Sequence, residues 1–213
     1  MRFDLDIIYE DNKIIVVDKP FDMLTISDGR EKENTLYHRV SQYVKSKYKN
    51  NKIFIVHRLD YATSGLIVFA KDFSTKIELQ KLFEEGKIIR KYQAVLSSKL
   101  DEEEGTIIQY LKEDKFHNVI VSKKSDKYSK EAITKYKVVK YLENKFPCLD
   151  IQILTGRRNQ IRIAFSSKGS PILGDEKYNG LKRKRMYLHA YNLDLRAYRD
   201  VNVFNTFSTK CLF

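Results

Sequence analysis

Long apolar runs are missing from this sequence of 213 residues. No stretch approaches the roughly 20 apolar residues that span a bilayer, and the opening Met1-Arg2-Phe3-Asp4 carries no apolar signal segment. Cysteine is scarce. Cys148 and Cys211 form no metal spacing and are too few for a disulfide framework. The four histidines give no ligand cluster for a metal-dependent hydrolase. Glycine and proline, eight and three residues, nowhere gather into a linker or into the Gly-rich loop that cradles phosphates. Strands and helices do not alternate regularly either, which disfavours nucleotide-cofactor folds. No internal repeat is found. These absences predict a globular protein of the reducing cytoplasm with no membrane span.

Acidic residues are also in short supply, 28 against 40 Lys and Arg, which leaves a net charge of +12 and a pI near 9.5. Such an excess concentrates polyanions around a protein and speeds their encounter. Nucleic acid is the usual partner and an anionic membrane surface the runner-up, but no long basic amphipathic helix supports the membrane. Charge alone leaves a solvated basic surface without a partner equally open.

What is present is a clear apolar pattern. Ile7-Ile8-Tyr9 and Ile14-Ile15-Val16-Val17 read as strands divided by the turn-forming Asp11-Asn12. A helix is predicted over 34–48, with Leu36, Val40, Tyr43 and Val44 on one face. Ile53-Phe54-Ile55-Val56 and Leu66-Ile67-Val68-Phe69-Ala70 read as buried strands bracketing the polar segment His57 to Gly65. Ser74 is the expected N-cap of a helix ended by Gly86. Period two governs 88–154, where Leu149, Ile151 and Ile153 alternate with polar or small neighbours, as do Ala132, Thr134, Tyr136 and Val138. A helix is predicted over 158–168, stopped by Gly169, and short strands near 186–193 and 201–207. The most linker-like stretches, Asp101 to Glu104 and Ser122 to Lys130, are short and charged. The economical fold is one α+β domain over 1–213, with a mixed, largely antiparallel central sheet flanked by helices.

Two segments carry most of the chemistry. Val56-His57-Arg58-Leu59-Asp60-Tyr61-Ala62-Thr63-Ser64-Gly65 places an acid, two bases and two hydroxyls in a loop between apolar strands. A rigid sheet holding a polar loop is how active sites are commonly positioned. On local evidence alone, an Asp-anchored turn with Arg58 and Asp60 ordering the loop is the simpler reading. Thr155-Gly156-Arg157-Arg158-Asn159-Gln160-Ile161-Arg162 leaves a strand, turns at Gly156 and opens a helix rich in guanidinium groups. A helix N-terminus of that kind attracts phosphate, whereas a basic helix start with solvated arginines is the plainer alternative.

Together these segments resemble RluA-type pseudouridine synthases. His57-Arg58-Leu59-Asp60 followed by Thr63-Ser64-Gly65-Leu66 is similar to the family signature, and Arg90-Lys91-Tyr92 to its tyrosine motif. Thr155-Gly156-Arg157 with Gln160-Ile161-Arg162 is similar to the arginine motif, and Pro171-Ile172 with Gly174-Asp175 and Tyr178 to the stretch after it. Val17 to Leu24 resembles the opening Lys-Pro motif, and Leu188-His189-Ala190 a late one. Any one motif is weak; their ordered succession from about residue 7 to 193 is strong.

The resemblance implies a catalytic domain that isomerises uridine within structured RNA, without cofactor or metal, standing alone with no RNA-binding domain before it. Asp60 takes the position of the catalytic nucleophile. Such a carboxylate must be ionised in a closed pocket, where burial opposes ionisation and a paired guanidinium restores it; Arg162 occupies the family position for that pair. Tyr92 occupies the position of the ring that stacks on uracil. Arg58 is the candidate to fill the space left by the flipped uridine. His57 is a candidate phosphate contact, with loop ordering the favoured reading, and Arg157 and Gln160 are candidate substrate contacts. Lys19 is either an RNA contact or a solvated strand-end lysine. Lys182 to Arg185 with Tyr187, and Lys123, Lys124, Lys127 and Lys130, are candidates to track a phosphate backbone.

The sequence departs from the family pattern at two places. Asn159 stands where the arginine motif usually has histidine, and asparagine hydrogen-bonds but does not titrate. Asp22 stands where the Lys-Pro motif usually has glycine, and aspartate tolerates positive φ. Ribosomal RNA is the expected substrate ahead of transfer RNA, and monomer the default state. The competing reading is a catalytically silent RNA-binding protein on the same scaffold. Retention of Asp60, Tyr92 and Arg162 favours the enzyme.

Overall fold

The computed structural model describes residues 4–29, 31–198, 206–211 and 213. Along the chain these residues form β1 (Asp6–Glu10), β2 (Ile14–Lys19), α1 (Leu36–Lys47), β3 (Phe54–Ile55), β4 (Ser64–Ala70), α2 (Phe73–Glu84), β5 (Ile89–Val95), β6 (Glu104–Glu113), β7 (Val119–Ser122), β8 (Lys130–Leu142), β9 (Phe146–Ile153), α3 (Gln160–Ser166), β10 (Leu188–Asp194) and β11 (Thr206–Ser208). The class is α+β, as expected. The chain divides into two compact units, residues 1–88 with 190–210, and residues 89–189 with 211–213. Neither of the linker-like stretches marks that division. Asp101 to Glu104 leads into β6, and Ser122 to Lys130 joins β7 to β8.

In the first unit, Ile14 to Val17 of β2 are all fully buried because β2 has strands on both edges, β1 and β4. β4 carries seven buried residues in a row, the signature of a strand covered on both faces. β3 pairs with its Phe69–Ala70 end, and β10, with β11 beyond it, runs next to β4. Gly65 makes that approach possible. Its φ is +121°, and a Cβ there would lie 2.3 Å from the Ala190 carbonyl oxygen.

α1 buries Leu36, Val40 and Val44, as its spacing requires, with Thr35 Oγ1 accepting the His38 N–H at 3.1 Å as a cap. α2 begins differently from the expectation. Its N-cap is Asp72, whose Oδ1 accepts the Thr75 N–H at 2.9 Å, and Ser74 lies within the first turn and donates its hydroxyl to Asp72. The extended backbone of Asp72 is what a cap needs. Gly86, at φ +67°, ends the helix as expected.

In the second unit the strands run in the order β5-β9-β8-β6-β7, every pair antiparallel. Leu149, Ile151 and Ile153 point inward and Asp150 and Gln152 do not, so the period-two reading holds. α3 is shorter than the predicted 158–168, and Gly169 follows it at φ +74°. Ile163 of α3 packs with Leu111, Val119 and Ala132, which fixes the helix on the sheet. β10 matches the strand expected near 186–193. Of the strand expected over 201–207, residues 201–205 lie outside the described residues, as do Met1, Arg2 and Phe3 of the opening segment.

Candidate active site

In the first unit, the loop from β3 to β4 is held at the backbone on either side of Asp60. Leu59 is gripped twice by one hydroxyl: Thr25 Oγ1 donates to the Leu59 carbonyl at 2.8 Å and accepts the Leu59 N–H at 3.2 Å. Tyr61 is held by its carbonyl, which accepts from Met23 N–H at 3.2 Å and from Lys19 Nζ at 3.1 Å. Asp60 itself closes a turn, its carbonyl accepting the Thr63 N–H at 3.1 Å. Asp60, half-buried, therefore stands on a backbone that has little freedom.

Lys19 corrects both readings offered for it. Its side chain is fully buried, and Nζ donates to the carbonyls of Pro20, Met23 and Tyr61 at 2.9, 2.8 and 3.1 Å. An ammonium with three donors bound to three carbonyls braces the loop; it is not a solvated strand end, nor is it placed at the surface where RNA would meet it. The turn it braces includes Asp22 at φ +54°, so aspartate does take the left-handed conformation here. His57 also orders the loop. Its Nε2 accepts the Val68 N–H at 3.1 Å, and its ring stacks on Phe83 of α2 with centroids 4.6 Å apart. Arg58 and Tyr61 are the exposed members of the loop.

The second unit holds the other expected residues. Tyr92 is buried on β5, paired in register with Ile151. Arg90, two positions earlier on the same face, crosses Gly156, where a Cβ would lie 2.7 Å from its Nη1. Burial holds the Arg90 guanidinium below its usual range, and Tyr92 opposes that shift.

Gln160, expected to touch substrate, is instead a buried brace. Its Oε1 accepts from Thr155 Oγ1 at 2.7 Å and from Arg157 N–H at 3.0 Å, while Nε2 donates to Ile133 O at 3.0 Å and Thr134 Oγ1 at 3.1 Å. Those four bonds fill the capacity of one amide and set the turn before α3. Arg157 is exposed, anchored by Nε to the Glu131 carbonyl at 2.9 Å. α3 has only seven residues, and Arg157 and Arg158 lie in the turn before it. A dipole of aligned peptides needs length to build up.

Arg162 sits in a closed network. Its Nε and Nη2 make a bidentate pair with Asp175, both at 2.7 Å, with side chains 12% and 1% exposed. Nη1 donates to Asn159 Oδ1 at 3.1 Å, Asn159 Nδ2 donates to Tyr178 Oη at 2.9 Å, and the guanidinium lies over the Tyr178 ring at 4.8 Å. Asn159 has φ +54°, a conformation asparagine adopts more readily than most residues. Sequence reasoning did not assign Thr25 or Asp175. Nothing local marks Thr25; Asp175 had a signal in its place after Gly174, inside a recognised motif.

A family model described as RNA pseudouridylate synthase matches residues 13–167. The chain belongs to that family. Ribosomal large subunit pseudouridine synthase C of Rickettsia prowazekii is 33% identical over 193 residues, 89% of this chain and 62% of that protein. Dual-specificity RNA pseudouridine synthase RluA of Haemophilus influenzae is 33% identical over 195 residues, 90% of this chain and 86% of the relative. The chain thus spans 62% of the length of the ribosomal-subunit relative. Among solved structures, Human RNA Pseudouridylate Synthase Domain Containing 4 shares the fold, with a TM-score of 0.79 and 20% identity over 97% of this chain and 88% of that one. Asp60, Tyr92 and Arg162 all lie within the residues that the pseudouridylate synthase model matches. Asn159, the departure in the arginine motif, still hydrogen-bonds both Arg162 and Tyr178. Among the described residues no group of three or more His, Cys, Asp or Glu is placed to hold a metal, and no helix is long and apolar enough to cross a membrane.

Proposed function

We propose that the protein is an RNA pseudouridine synthase that isomerises uridine in structured RNA in the cytoplasm, with ribosomal RNA preferred over transfer RNA. Asp60 is the nucleophile, Arg162 the cation that favours its ionised form, and Tyr92 the ring that holds uracil. Arg58 manages the flipped base, and Arg157, at the surface, binds backbone phosphate. The names of the Rickettsia and Haemophilus relatives support the RNA class, the former favouring the ribosome.

The observation that carries this reading is the clamp around Asp60. Thr25 and Lys19 fix the backbone on both sides of one carboxylate, which is what a nucleophile held for in-line attack requires and a surface turn does not. Covalent or elimination chemistry at the ribose begins from that carboxylate. When the uracil detaches, it must be held while it turns so that carbon 5 rejoins the sugar, and a buried aromatic ring suits that task.

The test is Asp60→Asn, assayed by mapping pseudouridine in ribosomal and transfer RNA exposed to the purified protein. Isomerisation is expected to vanish while RNA affinity stays within about twofold of the parent, since one neutralised carboxylate removes no phosphate contact. Full activity in the variant removes the nucleophile assignment. Absence of activity in the unaltered protein, with RNA binding intact, leaves the silent RNA-binding reading.

A further inference from the structure

In the first unit, α1 ends beside an open groove of about 570 Å³ whose lining includes Tyr37, Ser41, Lys45, Lys49, Lys52 and Phe54, and no carboxylate. Residues 37, 41 and 45 recur every four positions, so one face of α1 forms a wall. The adjoining pocket, which shares Lys52, brings two acids: Glu10, whose oxygens are taken by Lys47 at 2.7 Å and Lys71 at 2.9 Å, and Asp11, whose oxygens accept from Tyr9 Oη and from the Lys13 and Ile14 N–H groups. Aromatic surface lies alongside. Phe54 meets Phe73 edge-on with centroids 6.1 Å apart, and Phe73 is 60% exposed with Lys76 Nζ 5.2 Å over its ring. Three lysines that enter no ion pair among the described residues, set beside aromatic faces, are the chemistry of single-stranded nucleic-acid binding, in which ammonium groups follow phosphates and rings stack on bases.

We propose that this groove is a second RNA site, which binds the phosphate backbone of a single-stranded segment flanking the uridine acted on at the Asp60 loop. The proposal rests on the RNA-isomerase reading above and adds a place where the substrate is held. The chain itself links the two sites. β3 runs from Phe54 into the His57–Asp60 loop, and the six residue steps from Phe54 to Asp60 reach at most about 20 Å. At a stacked rise of about 3.4 Å per nucleotide, a strand leaving the loop covers that distance in about six nucleotides. An anionic lipid surface would also meet lysines, but a concave groove walled by a helix suits a strand better than a plane.

The test compares the full chain with K45Q/K49Q/K52Q, a triple change at lysines outside the catalytic loop. The probes are a labelled single-stranded RNA about 12 nucleotides long and phosphatidylserine vesicles. The variant is expected to bind the RNA about tenfold more weakly near 0.1 M salt. Its plot of log affinity against log salt should be shallower by about 2, since each single-strand phosphate contact contributes about 0.7. On long RNA the variant should show a raised KM and an unchanged kcat. An unchanged slope and affinity overturns the proposal, as does lost vesicle binding with RNA binding intact. A parent protein that binds RNA through these lysines yet isomerises no uridine overturns the activity reading and leaves the groove standing.

Discussion

Arg162 and Asp175 show how a single residue's role is set by what it touches. A guanidinium that is 12% exposed and a carboxylate that is 1% exposed share two bonds of 2.7 Å. Both charges are largely out of water, so each depends on the other. Tyr178 adds a ring beneath the guanidinium, and Asn159 a third acceptor. The geometry leaves Arg162 a fixed plane. Asp175→Asn keeps the shape but removes the charge. It is expected to cost about 3 kcal/mol of stability, by the general cost of breaking a buried pair, and to lower turnover by at least about tenfold. Urea denaturation and a single-turnover isomerisation assay measure the two effects. Normal turnover in a folded Asp175→Asn protein would show that Arg162 needs no such partner.

At the scale of elements, the loop that carries Asp60 belongs as much to the β2–α1 connection as to the strands that bracket it. Thr25, on that connection, holds both backbone groups of Leu59, and Lys19, at the end of β2, holds Tyr61. The hydroxyl of Thr25 is 1% exposed in its residue, so no water replaces it on removal. Thr25→Val leaves a buried N–H and a carbonyl without their partner and is expected to destabilise the protein by about 2 kcal/mol. The loosened loop should lower kcat about tenfold with KM little changed, and Thr25→Ser should recover most of the loss. A folded Thr25→Val variant with the parent's kcat would show that the loop needs neither hydrogen bond to the Leu59 backbone.

Across the whole molecule the pH range of stability is set in part by one histidine. His189, on β10, is 3% exposed, and burial, aided by the charge of Arg185, pushes it down to about 4. In the unfolded chain a histidine titrates near 6.5, so between those values the unfolded state binds the extra proton. The contribution to stability is therefore complete above about pH 6.5 and is lost as pH falls toward 4, by up to about 3 kcal/mol. Urea midpoints at pH 7 and 5 should differ for the parent, and the difference should shrink in His189→Gln. An equal pH dependence in both proteins would assign it to other groups. The basic excess of +12 acts at the same scale, drawing polyanions to the surface without bearing on the fold.

The sequence by itself determined the elements and the family. Apolar spacing located β2, α1 and β4 to within a few residues and period two marked parts of β8 and β9, because burial of one face repeats locally along the chain, while Gly86 marked the end of α2. Ordered motifs then pointed to Asp60, Tyr92 and Arg162. Tertiary structure alone decided what the buried polar groups do. Lys19 read as an RNA contact or a solvated strand end, and Gln160 as a substrate contact, yet both are enclosed and bonded to main-chain carbonyls. The most distant partner lies 42 residues away for Lys19 and 27 for Gln160, and Thr25 reaches Leu59 across 34. No local pattern encodes such a pairing. A buried donor takes whichever acceptor the packed chain brings to it, and that is known only once the chain is folded.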